Sequence, residues 1–186
     1  MLKHLPNTLT LLRFILIIPF LYCLYHKAYE AAFYLYFVAG LTDALDGWLA
    51  RRLDSQSTLG SFLDPMADKL LVALSFVSLA LIGLLPWWLV FLVFLRDATI
   101  SFGVITWFCC IRQRLTFQPT LLSKINTTFQ LLLVTVCLLK LAFLAWLPNF
   151  LLWILMGLTA LTTGATYIDY VVTWSKKAFI ANKYYP

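Results

Sequence analysis

Hydrophobic positions fill this chain in six long runs broken by short polar stretches, at about 7–26, 29–50, 59–84, 87–111, 119–146 and 149–174. At about 1.5 Å of rise per residue, a helix built on each run is long enough to cross the roughly 30 Å hydrocarbon core of a bilayer. Pro86, Pro119 and Pro148 stand where a helix would restart and support the breaks. The pattern predicts an all-α, polytopic membrane protein with six transmembrane helices, forming a single domain over residues 1–186. Residues 1–6 are expected along the membrane surface, and there is no internal repeat, low-complexity tract or long linker.

Composition agrees with that reading. Hydrophobic residues make up 62% of the chain and charged residues 12%, against about a quarter charged in a soluble domain. The first run is too long and too early for a secretory signal, and no small-residue cleavage site follows it. Lys3, Arg51, Arg52, Arg112, Arg114, Lys124, Lys176, Lys177 and Lys183 fall in alternate loops or at the termini, whereas Lys27 and Lys140 fall on the other side. The positive-inside rule therefore predicts cytoplasmic termini and cytoplasmic 51–58 and 112–124 loops. No stretch is polar enough to form a basic domain for nucleic acid, so the net charge of +6 is expected to face anionic lipid headgroups. Cys23, Cys109, Cys110 and Cys137 all sit inside apolar runs and read as small packed residues, not as a disulfide frame or zinc site.

The acidic residues change the picture most. Of eight in the chain, five lie between positions 43 and 68. Asp43 and Asp46 are three apart, and Asp64 and Asp68 are four apart, so each pair shares one helix face. The pairs flank the 51–58 loop, and antiparallel packing of the two helices can gather all four carboxylates. Two carboxylates about 5 Å apart repel by roughly 3 kcal/mol at an effective dielectric of about 20. An aspartate at bilayer depth costs about 2.5–3.5 kcal/mol more on the insertion scale. Divalent cations offset most of this. An all-oxygen set without His or Cys suits Mg²⁺ or Mn²⁺, and four carboxylates are enough to bridge two ions. Pairing with Arg51, Arg52 and Lys69 as plain interfacial charges would account for one aspartate, but not for four in this spacing. Gly47, Ala50 and Gly60 either admit a planar ligand to the backbone or let helices pack closely. Arg51, one turn beyond Gly47, is placed to reach a phosphate.

The run D-x2-D-G-x2-A-R-x8-G-x3-D-x3-D, here Asp43 to Asp68, resembles the signature of the CDP-alcohol phosphatidyltransferases at all eight of its defining positions. Chain length and six spans are similar as well. The resemblance implies two metal ions held by Asp43, Asp46, Asp64 and Asp68, a CDP-diacylglycerol donor, Asp68 as proton acceptor, and commonly a homodimer. It implies contacts of Gly47, Arg51 and Ser57 with the cytidine or pyrophosphate, beside the small Ala50 and Gly60. The segment Pro6-Asn7-Thr8-Leu9-Thr10 resembles the start of the family's first helix and implicates Asn7 and Thr10 in nucleotide binding, although such residues near a helix start also serve as caps. The expected chemistry is in-line attack of an acceptor hydroxyl on the donor phosphorus with release of CMP, at the cytoplasmic face of a bacterial inner membrane or the matrix side of an organelle inner membrane. His4 and His26 are predicted on opposite sides of the membrane and read as bystanders. A membrane prenyltransferase typically has more spans and other aspartate spacing, and a cation transporter would not need the Gly-x2-Ala-Arg element.

The acceptor is read from the second half. Arg96 and Asp97 lie inside the fourth run, where ionisable residues usually face a site or a partner. Lys124 and Asn126 open the fifth, followed by Thr127 and Gln130. Arg96, Lys124 and Asn126 are the expected acceptor-binding residues. The alternative for Arg96 and Asp97 is a pair that locks helices through local partners. The segment from Pro119 to Thr127 most resembles the eukaryotic-type cardiolipin synthase branch, while phosphatidylglycerophosphate synthases usually carry a second lysine where Asn126 stands. Phosphatidylglycerol is accordingly the expected acceptor, with glycerol 3-phosphate as the alternative.

Overall fold

A computed structural model describes the backbone of residues 5–53, 58–111 and 121–184, and side-chain surroundings within 12–42, 69–101 and 121–172. Among the described residues the chain is all-helical: α1 (Leu5–Tyr25), α2 (Tyr29–Leu53), α3 (Thr58–Leu81), α4 (Trp87–Ile111), α5 (Leu121–Ala142) and α6 (Asn149–Tyr184). Every expected element is present, with ends moved by a few residues. The largest difference is α6, which runs on to Tyr184 instead of stopping near 174. Residues 174–184 contain no Gly or Pro that would end a helix, so polarity changes there while helix does not. Among the described residues, two helices, α5 and the Asn149–Val172 part of α6, are long and apolar enough to cross a membrane.

The helices group into two compact units. The first comprises residues 1–84 and 134–148, and the second residues 85–133 and 149–186, so that α5 is shared between them. In the first unit, α1 buries Arg13, Ile17, Phe20 and Leu24, a 4-3-4 spacing that draws one stripe along a helix of 3.6 residues per turn. This helix packs against both α2 and α3. The buried stripe of α2 is Ala32, Tyr36 and Ala39, and that of α3 runs through Leu71, Val72, Ser75 and Leu79. The rings of Phe20 and Tyr36 meet with centroids 6.0 Å apart, which sets the register of α1 against α2. In the second unit α4 packs against α6.

Helix ends are closed by local chemistry. After α1, Ala28 donates its N–H to the Cys23 carbonyl (2.8 Å) and Lys27 donates to Leu24 (3.1 Å). This is the Schellman arrangement, with Lys27 in the left-handed region at φ 60°. The same pair of bonds after α3 uses Gly83, φ 87°, with Leu84 donating to Leu79 and Gly83 to Ala80. Glycine takes that conformation without steric cost, whereas lysine does so at about 1–2 kcal/mol.

Large apolar side chains also point outward, among them Ile18, Leu81, Phe91, Leu161 and Trp153. Phe20, 1% exposed, anchors the α1–α2 contact, so Phe20→Ala is expected to destabilise the chain by about 3–5 kcal/mol. The neighbouring Ile18→Ala, at an outward position, should change little. Thermal unfolding in detergent micelles checks both.

Candidate active site

The four motif aspartates lie on two consecutive helices of the first unit. Asp43 and Asp46 precede the end of α2 at Leu53, and Asp64 and Asp68 follow the start of α3 at Thr58. At 1.5 Å per residue, Asp43 and Asp68 each stand about 15 Å from their helix end, and Asp46 and Asp64 about 10 Å. The two pairs are thus mirrored about the 54–57 connection. Helical register adds a second relation. Positions 43 and 46 continue the 4-3 spacing of the buried Ala32, Tyr36 and Ala39 on α2, and positions 64 and 68 continue the buried stripe of α3 backward from Leu71, Val72 and Ser75. Asn7 and Thr10 lie in the first turns of α1, Gly47, Ala50 and Arg51 in α2, and Gly60 at the start of α3. The side chains of all these residues, and Ser57, Arg112 and Arg114 altogether, fall outside the described residues. Among the described residues, no group of three or more His, Cys, Asp or Glu side chains comes together.

The second unit holds a buried polar seam. Arg96 is 5% exposed. Its guanidinium donates 2.6 Å bonds from Nη1 to the Asp97 carboxylate and from Nη2 to the Ser123 hydroxyl on the first turn of α5. The Arg96–Ser123 bond ties α4 to α5 while the Asp97 pair lies within α4, and Nε has no partner among the described residues. Asn126, one turn beyond Ser123, is fully buried. Thr162 and Thr163 of α6 place their hydroxyls 2.9 and 2.8 Å from its amide oxygen.

Those hydroxyls also lie 2.8 and 2.6 Å from the carbonyls of Leu158 and Thr159. Each hydroxyl has one proton and cannot donate twice. With the amide turned over, the Asn126 NH₂ donates to both threonine oxygens and both hydroxyl protons reach the carbonyls, so every bond is made. Oδ1 then takes the place of Nδ2, which has no partner among the described residues, so the buried atom left over is an acceptor. Gln130 is buried one turn farther along α5 with Nε2 likewise unpartnered. Lys124 is exposed, and two residues of helix put it about 160° around α5 from Asn126. The structure thus joins Arg96 to α5 through Ser123 and joins Asn126 to α6, while Lys124 stands on another face.

Sequence reasoning passed over Arg13, Thr162 and Thr163. Each left a trace: Arg13 is the one basic residue inside the first apolar run, and the threonines are adjacent within the sixth.

Residues 3–174 match the family model for CDP-alcohol phosphatidyltransferase. Among curated relatives, a probable cardiolipin synthase (CMP-forming) of Drosophila melanogaster is 38% identical over 185 residues, covering 88% of this chain and 56% of that protein. The cardiolipin synthase (CMP-forming) of Homo sapiens is 35% identical over 182 residues, 89% of this chain and 60% of that protein. A CDP-diacylglycerol–glycerol-3-phosphate 3-phosphatidyltransferase of Salmonella choleraesuis (strain SC-B67) is 33% identical over 153 residues, 78% of this chain and 79% of that protein. The chain spans a little over half the length of the first two of these relatives. With a motif complete at eight positions, five on α2 and three on α3, and a family match over nearly all its residues, this chain belongs to the CDP-alcohol phosphatidyltransferase family.

Proposed function

We propose that this protein is a multi-pass membrane enzyme that transfers the phosphatidyl group of CDP-diacylglycerol to a hydroxyl of a glycerol-based acceptor, releasing CMP. The observation that carries the reading is the mirrored placement of Asp43/Asp46 and Asp64/Asp68 at matching depths on α2 and α3. All six helices span the bilayer in this reading, as one domain with cytoplasmic termini and the site at the cytoplasmic face. Two features support that topology. Exposed aromatics gather beside the connections opposite the aspartates, including Tyr22, Tyr25, Trp87, Trp88, Trp146 and Trp153, as expected of a membrane interface. The basic residues concentrate toward the other ends. The homodimer implied by the resemblance is part of the same proposal.

The donor set fits divalent metal: four carboxylates, two per helix, with no nitrogen or sulfur ligand in the motif. Asp43, Asp46, Asp64 and Asp68 would hold two Mg²⁺ or Mn²⁺ ions, which when bound supply positive charge to the donor pyrophosphate. Arg51 binds phosphate through charge-assisted bonds, with Gly47, Ala50, Ser57 and Gly60 lining the path of the nucleotide and Asn7 and Thr10 of α1 at its edge. Asp68 accepts the acceptor hydroxyl's proton as that oxygen attacks phosphorus in line with the departing CMP. No Ser–His or Cys–His pair is needed, because no covalent enzyme intermediate forms.

Phosphatidylglycerol is the favoured acceptor. Arg96 is the cation of the buried seam, and Asp97 already draws on its charge at 2.6 Å. Asn126 is neutral and committed to α6, and Lys124 faces elsewhere. A singly charged phosphodiester suits that balance better than the dianionic monoester of glycerol 3-phosphate. The second reading, glycerol 3-phosphate, draws on the Salmonella relative, whose length this chain covers more fully, and on Lys124 at the first turn of α5.

Two experiments test the reading. Chelation should abolish CMP release from CDP-diacylglycerol, with Mg²⁺ or Mn²⁺ restoring it and Ca²⁺ doing so poorly. Asp64→Asn should then be nearly inactive despite normal insertion, Asp68→Asn should lose transfer more completely than CDP-lipid binding, and Asp54→Ala, outside the motif, should stay within a few-fold of the parent. Full activity in excess chelator would sink the four-carboxylate site. In the second, phosphatidylglycerol and glycerol 3-phosphate are supplied at equal concentration and the lipid product is identified by mass spectrometry. Cardiolipin is expected. Phosphatidylglycerophosphate as the main product reverses the acceptor assignment and leaves the aspartate chemistry standing. Loss of one charge-assisted bond to phosphate costs about 1.5–3 kcal/mol, so Asn126→Lys should shift the ratio toward glycerol 3-phosphate by roughly tenfold or more.

A further inference from the structure

Arg13 is 0% exposed and is the largest fully buried side chain among the described residues. A guanidinium stays charged at any pH a protein survives, and hiding it from water demands opposite charge or several acceptor oxygens close by. Its place on α1 limits where that charge comes from. Phe20 of α1 meets Tyr36 of α2 across an antiparallel hairpin whose connection is residues 26–28. Arg13 lies seven residues before Phe20, and Asp43 lies seven after Tyr36. Seven residues are about two turns, or about 10 Å, on either helix. Equal steps from a fixed contact bring Arg13 and Asp43 to one level. Arg13 belongs to the buried stripe Arg13-Ile17-Phe20-Leu24 on α1, and position 43 continues the 4-3 spacing of the buried Ala32, Tyr36 and Ala39 on α2.

Other charges in the unit are worse placed. Glu30 is exposed and stands at the far end of α2. Lys69, the cation next to Asp68, is exposed as well. The part of α5 in this unit carries no acidic residue.

We propose that Arg13 is the resident counter-charge of the aspartate cluster, a positioning residue that pairs with Asp43 and holds the carboxylates together before metal and substrate arrive. Four carboxylates crowded at the ends of two apolar helices repel one another strongly when no cation is bound. A buried arginine on the third helix, fixed in the same layer, removes part of that repulsion without entering the site as a ligand. Metal and Arg13 then act on the same unfavourable charge, so each matters more when the other is missing. The metal half of this inference rests on the function proposed above, while the Arg13–Asp43 pairing stands apart from it.

The test uses thermal unfolding of the purified full chain in detergent, in excess chelator and in saturating Mn²⁺. Arg13→Gln should lose most stability in chelator, so that its gain in Tm on adding Mn²⁺ is at least twice that of the parent. Arg13→Lys should behave like the parent. Adding Asp43→Asn to Arg13→Gln should recover at least half of the Tm lost in chelator, because the stranded carboxylate is gone. Equal Tm losses with and without Mn²⁺, together with additive losses in the double variant, would mean that Arg13 merely fills space, and the proposal would fall. If Arg13→Gln folds only with Mn²⁺ or with the second substitution, the pairing is supported. If neither recovers it, the pairing is wrong. A parent that gains nothing from Mn²⁺ removes the metal site of the proposed function, and the chelator comparison still decides the Arg13–Asp43 pair.

Discussion

Charge placed among apolar helices must be matched by nearby charge or by acceptor oxygens, and the rest of this protein is arranged around that requirement. Eight acidic residues and fourteen Lys and Arg residues are distributed over a chain that is 62% hydrophobic. In the first unit, five carboxylates lie within 26 positions of one another, and an arginine is fully buried on the helix that packs against both of their carriers. In the second unit, Arg96 bonds Asp97 beside it and Ser123 across the helix interface. The second cluster makes α4 and α5 mutually dependent, because α4 keeps Arg96 inside with the help of Ser123 on α5.

Helix count and helix placement were legible because long apolar runs punctuated by proline have few other interpretations. The active-site motif was legible for a different reason. Carboxylates are so unfavourable among apolar helices that four at 3- and 4-residue spacing stand out from any background. What could not be read was how polar residues pair across helices. Thr162 and Thr163 look like ordinary helix-interior threonines that bond back to their own carbonyls, and they do so. Only the packing of α6 on α5 reveals that the same hydroxyls meet Asn126. Arg13 was hidden in another way. A single arginine in the first run is equally compatible with a lipid-facing position and with burial, and only the 4-3-4 stripe of burial on α1 decides between them. Likewise Lys124 and Asn126 are neighbours in sequence, yet helical geometry sends them to different faces.

The two units handle polar groups in contrasting ways. The first places its charge at helix ends, along stripes that turn apolar with distance from the 54–57 connection. The second threads neutral hydrogen-bonding groups through its interior: Asn126 and Gln130 on α5 and Thr159, Thr163 and Thr166 on α6. Neutral groups cost much less to bury than ions do. Among the described residues, Arg96 Nε and Gln130 Nε2 have no partner, and with its amide turned over Asn126 leaves an acceptor there.

The length of α6 has a mechanical consequence. Its clasp with Asn126 lies at Thr162 and Thr163, and the helix continues to Tyr184, about 31 Å farther at 1.5 Å per residue. On α5 only about 7 Å of helix lies beyond Asn126 in that direction. The clasp is thus a fulcrum set well inside a long rigid rod. A tilt of about 5° there sweeps the far tip through roughly 3 Å of the path laid out by that rise per residue, while the amide at the fulcrum hardly moves. Lys176, Lys177 and Lys183 belong to the long arm, so in the membrane orientation proposed above any pull of an anionic surface on that arm would act with leverage on the two threonines that meet Asn126.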